Sequence, residues 1–454
     1  MAFLLMFSLQ CLFPIFDSSR ADEFLGLSIV NRDNQPREFT VTATGPEGTN
    51  AQTGRVSIPA GGQRAQLINE ILGTPRRPAS GWIRIDSPAT GCTSFLASGN
   101  DSMLDSADAP AITSTTILIP DVAIFTGFVE LNYIDTYLAI VNSGSSSATV
   151  TARLFGLDGA MPGSTVITVP AGGSRTLAVS EAFREVLPDN RLGGRVFQGY
   201  VRLNSNVQIA AWGRIETPLS RKLARGRTLE EIRSTTLAVI PHFAIGAGYE
   251  SILNLVNPTA GPLILELTAM DNRGNLMGEA ARVTLAAGQV RRSPVGELFR
   301  IDNRTSPQTL ISGYIRIREP QGGSIQVAGD IEVFTYAFDS IGSSVLYPIS
   351  DTAATDWIIP FVSNSSVYFS GYAIANPNEM LTVQTDVQVE VLNSAGTVID
   401  RSTISLSPRS RQASVVAADV QSGYLRFTSN LPIHIVGAIG TRNGRLLDQL
   451  PALR

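Results

Sequence analysis

Paired aromatic and basic side chains recur at one spacing in this chain: GWIRI from Gly81, GYVRL from Gly199, GYIRI from Gly313 and GYLRF from Gly423. Residues two apart on a strand share a face, which sets Trp82 beside Arg84, Tyr200 beside Arg202, Tyr314 beside Arg316 and Tyr424 beside Arg426. A ring next to a guanidinium can bind a sugar or an acidic chain, and it can equally stack within the molecule on the outer face of a sheet. Recurrence in every copy favours the second role, because a folding requirement repeats wherever the fold does. Ile83 and Ile85, which alternate with these residues, are expected to face the core.

Other reactive residue types are sparse. His242 and His434 have no Cys, His or paired carboxylate at zinc-ligand spacing and read as structural. Asp101, Asp105 and Asp108 in SGNDSMLDSADAP are a calcium candidate, since calcium takes six to eight oxygens, but the D-x-D-x-D-G order is missing and a solvated acidic loop also explains them. DNRGN at Asp271 reads as a hairpin turn. Arg64 and Glu70, Arg175 and Glu181, and Arg291 and Glu297 share a spacing that predicts an ion pair across a short helical turn, with Glu near the helix start. The mixed-sign segment SRKLARGRTLEEIR, residues 220–233, predicts a solvated helical excursion. There is no G-x-S-x-G elbow, no Cys with a nearby His and no glycine-rich phosphate loop. The expectation is a protein that is not an enzyme and uses no cofactor.

The elements that must position these residues follow from composition and repetition. Charged residues make up 16% of the 454 positions and hydrophobic ones 43%, which describes a folded soluble chain. Net charge is -4 and Lys222 is the only lysine, so no cationic face exists to neutralise a nucleic-acid backbone. Residues 2–16, AFLLMFSLQCLFPIF, are too short for a spanning helix of roughly 20 residues and read as the apolar region of an export signal, cleaved before Asp22. The competing reading is a buried first strand. With 1–21 removed, no membrane segment remains, Cys11 is lost, Cys92 stands alone and no intramolecular disulfide forms.

Four anchor segments recur in one order. The first is a strand ending at Asn31, Asn142, Asn257 and Asn376; the second ends in a glycine turn at Gly48, Gly159, Gly274 and Gly396, with spacings of 17, 17, 17 and 20 residues. The third is VSIPAGGQR, ITVPAGGSR, VTLAAGQVR and ISLSPRSRQ, and the fourth is the aromatic-arginine strand. The Asn-to-Asn period of 111, 115 and 119 residues suits an independently folding domain. Period-2 alternation broken by Gly, Pro, Asn and Ser predicts an all-β fold of four tandem antiparallel, immunoglobulin-like β-sandwich modules with short helical turns. Their limits are 22–116 (an atypical cap), 117–236, 237–355 and 356–454, arranged as beads. A proline-marked strand centres on Pro120, Pro241 and Pro360, with no counterpart in the first module. Inserts at 98–111, 217–234 and 300–310 are read as the loops where function resides.

The segment VIPHFAIGAGYESILNLVNP, residues 239–258, resembles a pattern of uncharacterised secreted bacterial repeat proteins made of tandem β-sandwich modules. The resemblance implies an extracytoplasmic, secreted or cell-surface setting and a sandwich fold, and it carries over no catalytic residue. The leading expectation is a non-catalytic structural or adhesive repeat protein whose partners are proteins or surface glycans. The alternative is a carbohydrate-binding protein using the aromatic and Arg faces or Tyr249, Tyr368 and Phe369, and the third is an extracellular hydrolase with a site between modules. Oligomeric state is not read from the sequence.

Overall fold

A computed structural model describes the chain except residues 1–8, 17–21, 88–92, 110–112, 127–132, 188–194, 218–219, 302–307, 338–339 and 380–382. The architecture is all-β, multi-sheet and predominantly antiparallel. In the first quarter of the chain the strands are β1 (Leu9–Ile15), β2 (Phe24–Val30), β3 (Arg37–Thr44), β4 (Gln52–Ile58) and β5 (Gln63–Leu67), then helix α1 (Ile68–Leu72), β6 (Gly81–Ser87), β7 (Thr93–Gly99) and β8 (Leu104–Asp108). They form two sheets, ordered β1-β6-β3-β4 and β5-β2-β7-β8. The third quarter, 238–348, shows the same two orders, and in the second and fourth the strands equivalent to β6 and β7 run on as Val196–Glu216 and Val420–Thr441. Helical turns Val179–Ala182 and Val295–Leu298 stand where α1 does.

The recurring residues have local physical causes. Asn31, Asn142, Asn257 and Asn376 are fully buried. Each side-chain amide donates to carbonyls at the end of the β4-type strand, Asn31 to Pro59 and Asn142 to Pro170, both at 2.9 Å. Each Oδ1 accepts the amide two residues on, a turn that few other side chains can close. Ile83 and Ile85 lie in the first-quarter core with Val41, Val56 and Leu27.

Residues 9–16 of the apolar N-terminal segment are described, and most of them form a strand. β1 pairs along its whole length with β6, Pro14 opposite Trp82 and Ile15 opposite Gly81. Cys11, Leu12, Phe13, Ile15 and Phe16 are buried in the core. β1 is therefore the proline-marked strand of the first quarter, matching Val122 opposite Gly199, Phe243 opposite Gly313 and Val362 opposite Gly423. A run of 15 apolar residues fits a strand buried on both faces as well as a leader, and periodicity cannot separate them. Cys11 is disulfide-bonded, against the expectation that the chain has no disulfide. Cys92, the other cysteine, and the expected cleavage point lie outside the described residues.

The quarters are not separate beads. Main-chain bonds join them in a cycle: Ser174 N to Pro46 O (2.9 Å), Val290 N to Leu157 O (3.1 Å), Arg411 N to Asn272 O (3.2 Å) and Gln63 N to Ser394 O (3.0 Å). The last of these ties the fourth quarter to the first. Gly48 and Gly396 show why the second anchor ends in glycine: both have positive φ, and a Cβ would lie 2.2 Å from Ala171 O or 2.4 Å from Gly61 O of the adjoining quarter. Proline of the β1-type strand sits at a register shift in the later quarters. Its freed carbonyl accepts from the next quarter, Pro120 from Asn254, Pro241 from Arg411 and Pro360 from Ser28.

Two expected loops are strands. The segment 98–111 contains β8, and 217–234 contains its counterpart Arg221–Arg225, where a solvated helix was expected. These strands and their equivalents, Ser340–Pro348 and Leu447–Leu450, neighbour one another in a cycle. Mixed charge there reflects ion pairing in the interior: Arg221, Lys222 and Arg227 are all buried. Of 300–310, only 300–301 and 308–310 are described. Among the described residues no helix is long and apolar enough to cross a membrane.

Candidate functional site

The aromatic-arginine strands lie at the junctions between quarters. Trp82, Tyr200, Tyr314 and Tyr424 are each at most 3% exposed. Trp82 Nε1 donates to Gly172 O at 2.8 Å, the Tyr314 hydroxyl to Arg409 O at 2.5 Å and the Tyr424 hydroxyl to Gly61 O at 2.6 Å. Tyr200 stacks on Phe155, ring centroids 4.7 Å apart, with Gly288 of the third quarter against its hydroxyl. Burial pushes the Tyr200 phenol up to about 12. Arg84 pairs with Asp86 at 3.0 Å, Arg316 with Glu379, and Arg426 Nε with Glu390 at 2.8 Å, while Arg202 Nε is buried without a hydrogen-bond partner. No ring at these four positions faces solvent as a sugar platform would. Tyr249, Tyr368 and Phe369 are strand starts, of which Tyr368 is 40% exposed.

The candidate carboxylates and histidines do not converge. Asp105 and Asp108 are three apart on β8 and so point to opposite sheet faces, and Asp101 lies in the exposed turn before it. Asp105 is bonded by Ser98, with Arg214 at 3.9 Å, and burial raises its pKa. The calcium candidate is thereby corrected: these three residues do not form one site. The expected Arg-Glu pairs are absent too. Arg64 bonds Gln66, Arg175 pairs with Glu47 across a junction, Arg291 bonds Ser293, and Glu70 accepts the Leu67 amide at 3.4 Å as a helix cap. The Arg is the second residue of a five-residue strand that runs into the helical turn, Gln63–Leu67, Ser174–Ala178 or Val290–Pro294, which the linear spacing could not reveal.

His242 Nδ1 accepts from Arg411, and burial plus that guanidinium hold the imidazole well below its usual pKa. His434 Nδ1 lies 2.7 Å from the Ser350 hydroxyl. A hydroxyl-imidazole pair is nucleophile-base geometry, but His434 is 2% exposed and offers a substrate no approach. Asp351, beside it, is engaged by Arg227 at 2.8 Å and the Arg233 amide at 3.0 Å.

What differs among the quarters is the filling of each junction. In the later quarters the residue after the β1-type proline is Asp121, His242 or Phe361, which meets Arg292, Arg411 or Phe95 on the second sheet of the next quarter; β1 has no register shift, and Phe16 meets Arg214 there. Three register-equivalent positions on that sheet, taken from the strand pairings, decide how much space remains. They are Tyr137, Thr176 and Arg214 where the first quarter meets the second, with Arg214 lying over the Phe16 ring. At the next junction Ile252, Arg292 and Glu332 occupy them. Arg292 bridges Asp121 (2.7 Å) and Glu332 (3.0 Å), and Lys222 also pairs with Glu332. Burial pushes Asp330 well above the usual carboxylate range, helped by Asp121, while Lys222 and Arg292 outweigh burial to hold Glu332 below it.

At the last two junctions the three positions are small. Gly371, Ala413 and Ala438 leave a 240 Å³ cleft beside His242 and Tyr347. Gly26, Ala65 and Ala97 leave a 420 Å³ cleft between the first and fourth quarters, walled by Phe24, Phe95, Phe361 and Tyr368. Phe95 and Phe361 are near-parallel at 16°, centroids 6.3 Å apart. Ser28 on the floor donates to Pro360 O at 2.6 Å and accepts from Gln63 at 2.8 Å, so it offers no free donor. No cluster of reactive residue types among the described lining residues marks this cleft in the sequence. The signal was an alignment of the four copies, in which glycine and alanine replace Tyr137 and Arg214.

No family model matches the chain, and no curated protein matches it. Among solved structures it is similar to Thermotoga maritima 1070, at 14% identity over 25% of this chain and 94% of that one, with a TM-score of 0.21. A glycoside hydrolase of family 32 from Bifidobacterium adolescentis aligns over 97% of this chain and 99% of that one at 9% identity and a TM-score of 0.16. Likenesses at these TM-scores carry no argument about fold or function.

Proposed function

We propose that the chain is a non-catalytic structural and interaction protein built of four tandem immunoglobulin-like β-sandwich modules, closed into a rigid ring. The observation that carries this reading is the recurrence of one main-chain contact at every junction, including the one from Gln63 to Ser394 that joins the chain's two ends. A contact set repeated four times, with the recurring aromatics committed to it, supports a scaffold that holds its outer surfaces in fixed relation. It does not favour a flexible spacer. An extracytoplasmic, secreted or cell-surface setting is supported by the Cys11 disulfide, since such bonds persist in oxidising compartments. The sugar-binding alternative draws no support from the aromatic-arginine strands, whose rings are covered.

Small-angle scattering of the full chain tests the reading. A closed ring of 454 residues should show a radius of gyration near that of a compact fold, about 22 Å. A value approaching twice that, with a rod-like distance distribution, would remove the ring and restore the extended array.

A further inference from the structure

We infer that the 420 Å³ cleft between the first and fourth quarters is a binding site for a small, neutral, aromatic ligand. This adds a ligand to the scaffold reading without depending on it, and a failed probe experiment would leave the scattering result untouched.

The same backbone arrangement occurs at all four junctions, so the cleft is defined by side chains that are missing. Where Gly26, Ala65 and Ala97 stand, the first-second junction has Tyr137, Thr176 and Arg214. Its neighbouring cavity is only about 10 Å³. The space left at the fourth-first junction falls in the range of small-molecule pockets, roughly 300–1,000 Å³, and is too small for a folded partner. Aromatic rings reach it from both quarters, Phe95 and Phe361 among them, and planar aromatic guests stack favourably on such walls. The floor hydroxyl is already bonded and supplies a polar guest no free donor at the base of the cleft, where burying an unpaired polar group is costly. Among the described lining residues no Arg, Lys or His is present and Glu70 is the single charge, which disfavours an anion.

The test is a fluorescence titration of the full chain with N-phenyl-1-naphthylamine, a neutral aromatic dye. Saturable binding at one dye per chain is expected. Ala97→Trp, which restores bulk at the Arg214-equivalent position, should weaken it at least tenfold, and Ala65→Leu should weaken it in the same direction with less disturbance. Ala438→Trp, at the equivalent place in the 240 Å³ cleft, should leave it unchanged. 1-Naphthoate, of similar ring size but anionic, should compete at least tenfold less well than naphthalene. Absence of saturable binding, retention of binding in both filled variants with unchanged melting, or loss in Ala438→Trp alone would overturn the assignment.

Discussion

The Tyr424 hydroxyl donates to the Gly61 carbonyl oxygen at 2.6 Å, joining residues 363 positions apart in the chain. The relationship is repeated by Trp82 with Gly172 and by Tyr314 with Arg409, so one side chain per quarter reads the turn of the next. Removing a buried donor leaves its acceptor unsatisfied, at a cost of about 1–3 kcal/mol. Tyr424→Phe should therefore lower the denaturant midpoint without changing the slope. Tyr200→Phe, whose ring is held by stacking on Phe155, should cost less. Equal effects from the two variants would show that the hydroxyl bond does not secure the closure.

β1 makes a second expectation concrete. A chain beginning at Asp22 lacks the strand that pairs with β6 and buries Phe13 and Ile15, and it lacks Cys11. Burying one such side chain contributes roughly 1.5–3 kcal/mol, and net domain stability is only about 5–15 kcal/mol. The truncated chain should be insoluble or unfolded by circular dichroism. Non-reducing peptide mapping of the full chain should find Cys11 cross-linked, and reduction should lower its thermal midpoint. A truncated chain that melts like the full one would show that β1 is dispensable and support the leader reading.

Lys222 is the chain's only lysine, and it is spent inside the molecule on Glu332. Removing one partner of a buried pair strands the other charge and costs about 3–5 kcal/mol. Lys222→Met should lose about that much in urea unfolding. The double change Lys222→Met with Glu332→Gln should recover part of the loss, because Arg292 then balances Asp121 alone. If the double variant loses as much as the sum of the single changes, the two residues do not form one charge unit.

Residues that serve the backbone were the legible ones. Asn31 closes a turn, Gly48 takes positive φ and Ile83 faces the core, and each of these follows from residue type and period alone. Residues whose partners lie 90 or more positions away were not legible. Trp82 reads as a surface platform until Gly172 is seen beside it, and Lys222 reads as solvated until Glu332 is. The N-terminal strand was not legible for a different reason, since a doubly buried strand and a leader share one apolar pattern. The 420 Å³ cleft is made by the absence of bulk at Gly26, Ala65 and Ala97, and absence shows only against equivalent positions.

His434 gives the fold a pH dependence whose sign can be worked out. Burial holds its imidazole down to about 4, against 6.5 for the free side chain, with Asp351 opposing and Arg454 adding to the shift. The unfolded chain therefore binds the proton more readily than the folded one. The stabilisation is complete above pH 6.5 and is lost as pH falls through 6.5 towards 4, on the order of 3 kcal/mol in all. His242, also depressed, acts in the same direction. Asp330 and Asp448, whose pKa values burial raises, act oppositely, since their neutral forms are favoured in the fold as pH falls. A single pH profile mixes these signs, so the measurement is a difference. His434→Gln keeps an acceptor for Ser350 and cannot titrate. The stability of the natural chain minus that of His434→Gln should be constant from pH 7 to 9 and shrink by that amount between pH 6.5 and 4. A difference that stays flat across this interval would mean that His434 is not held neutral by the fold.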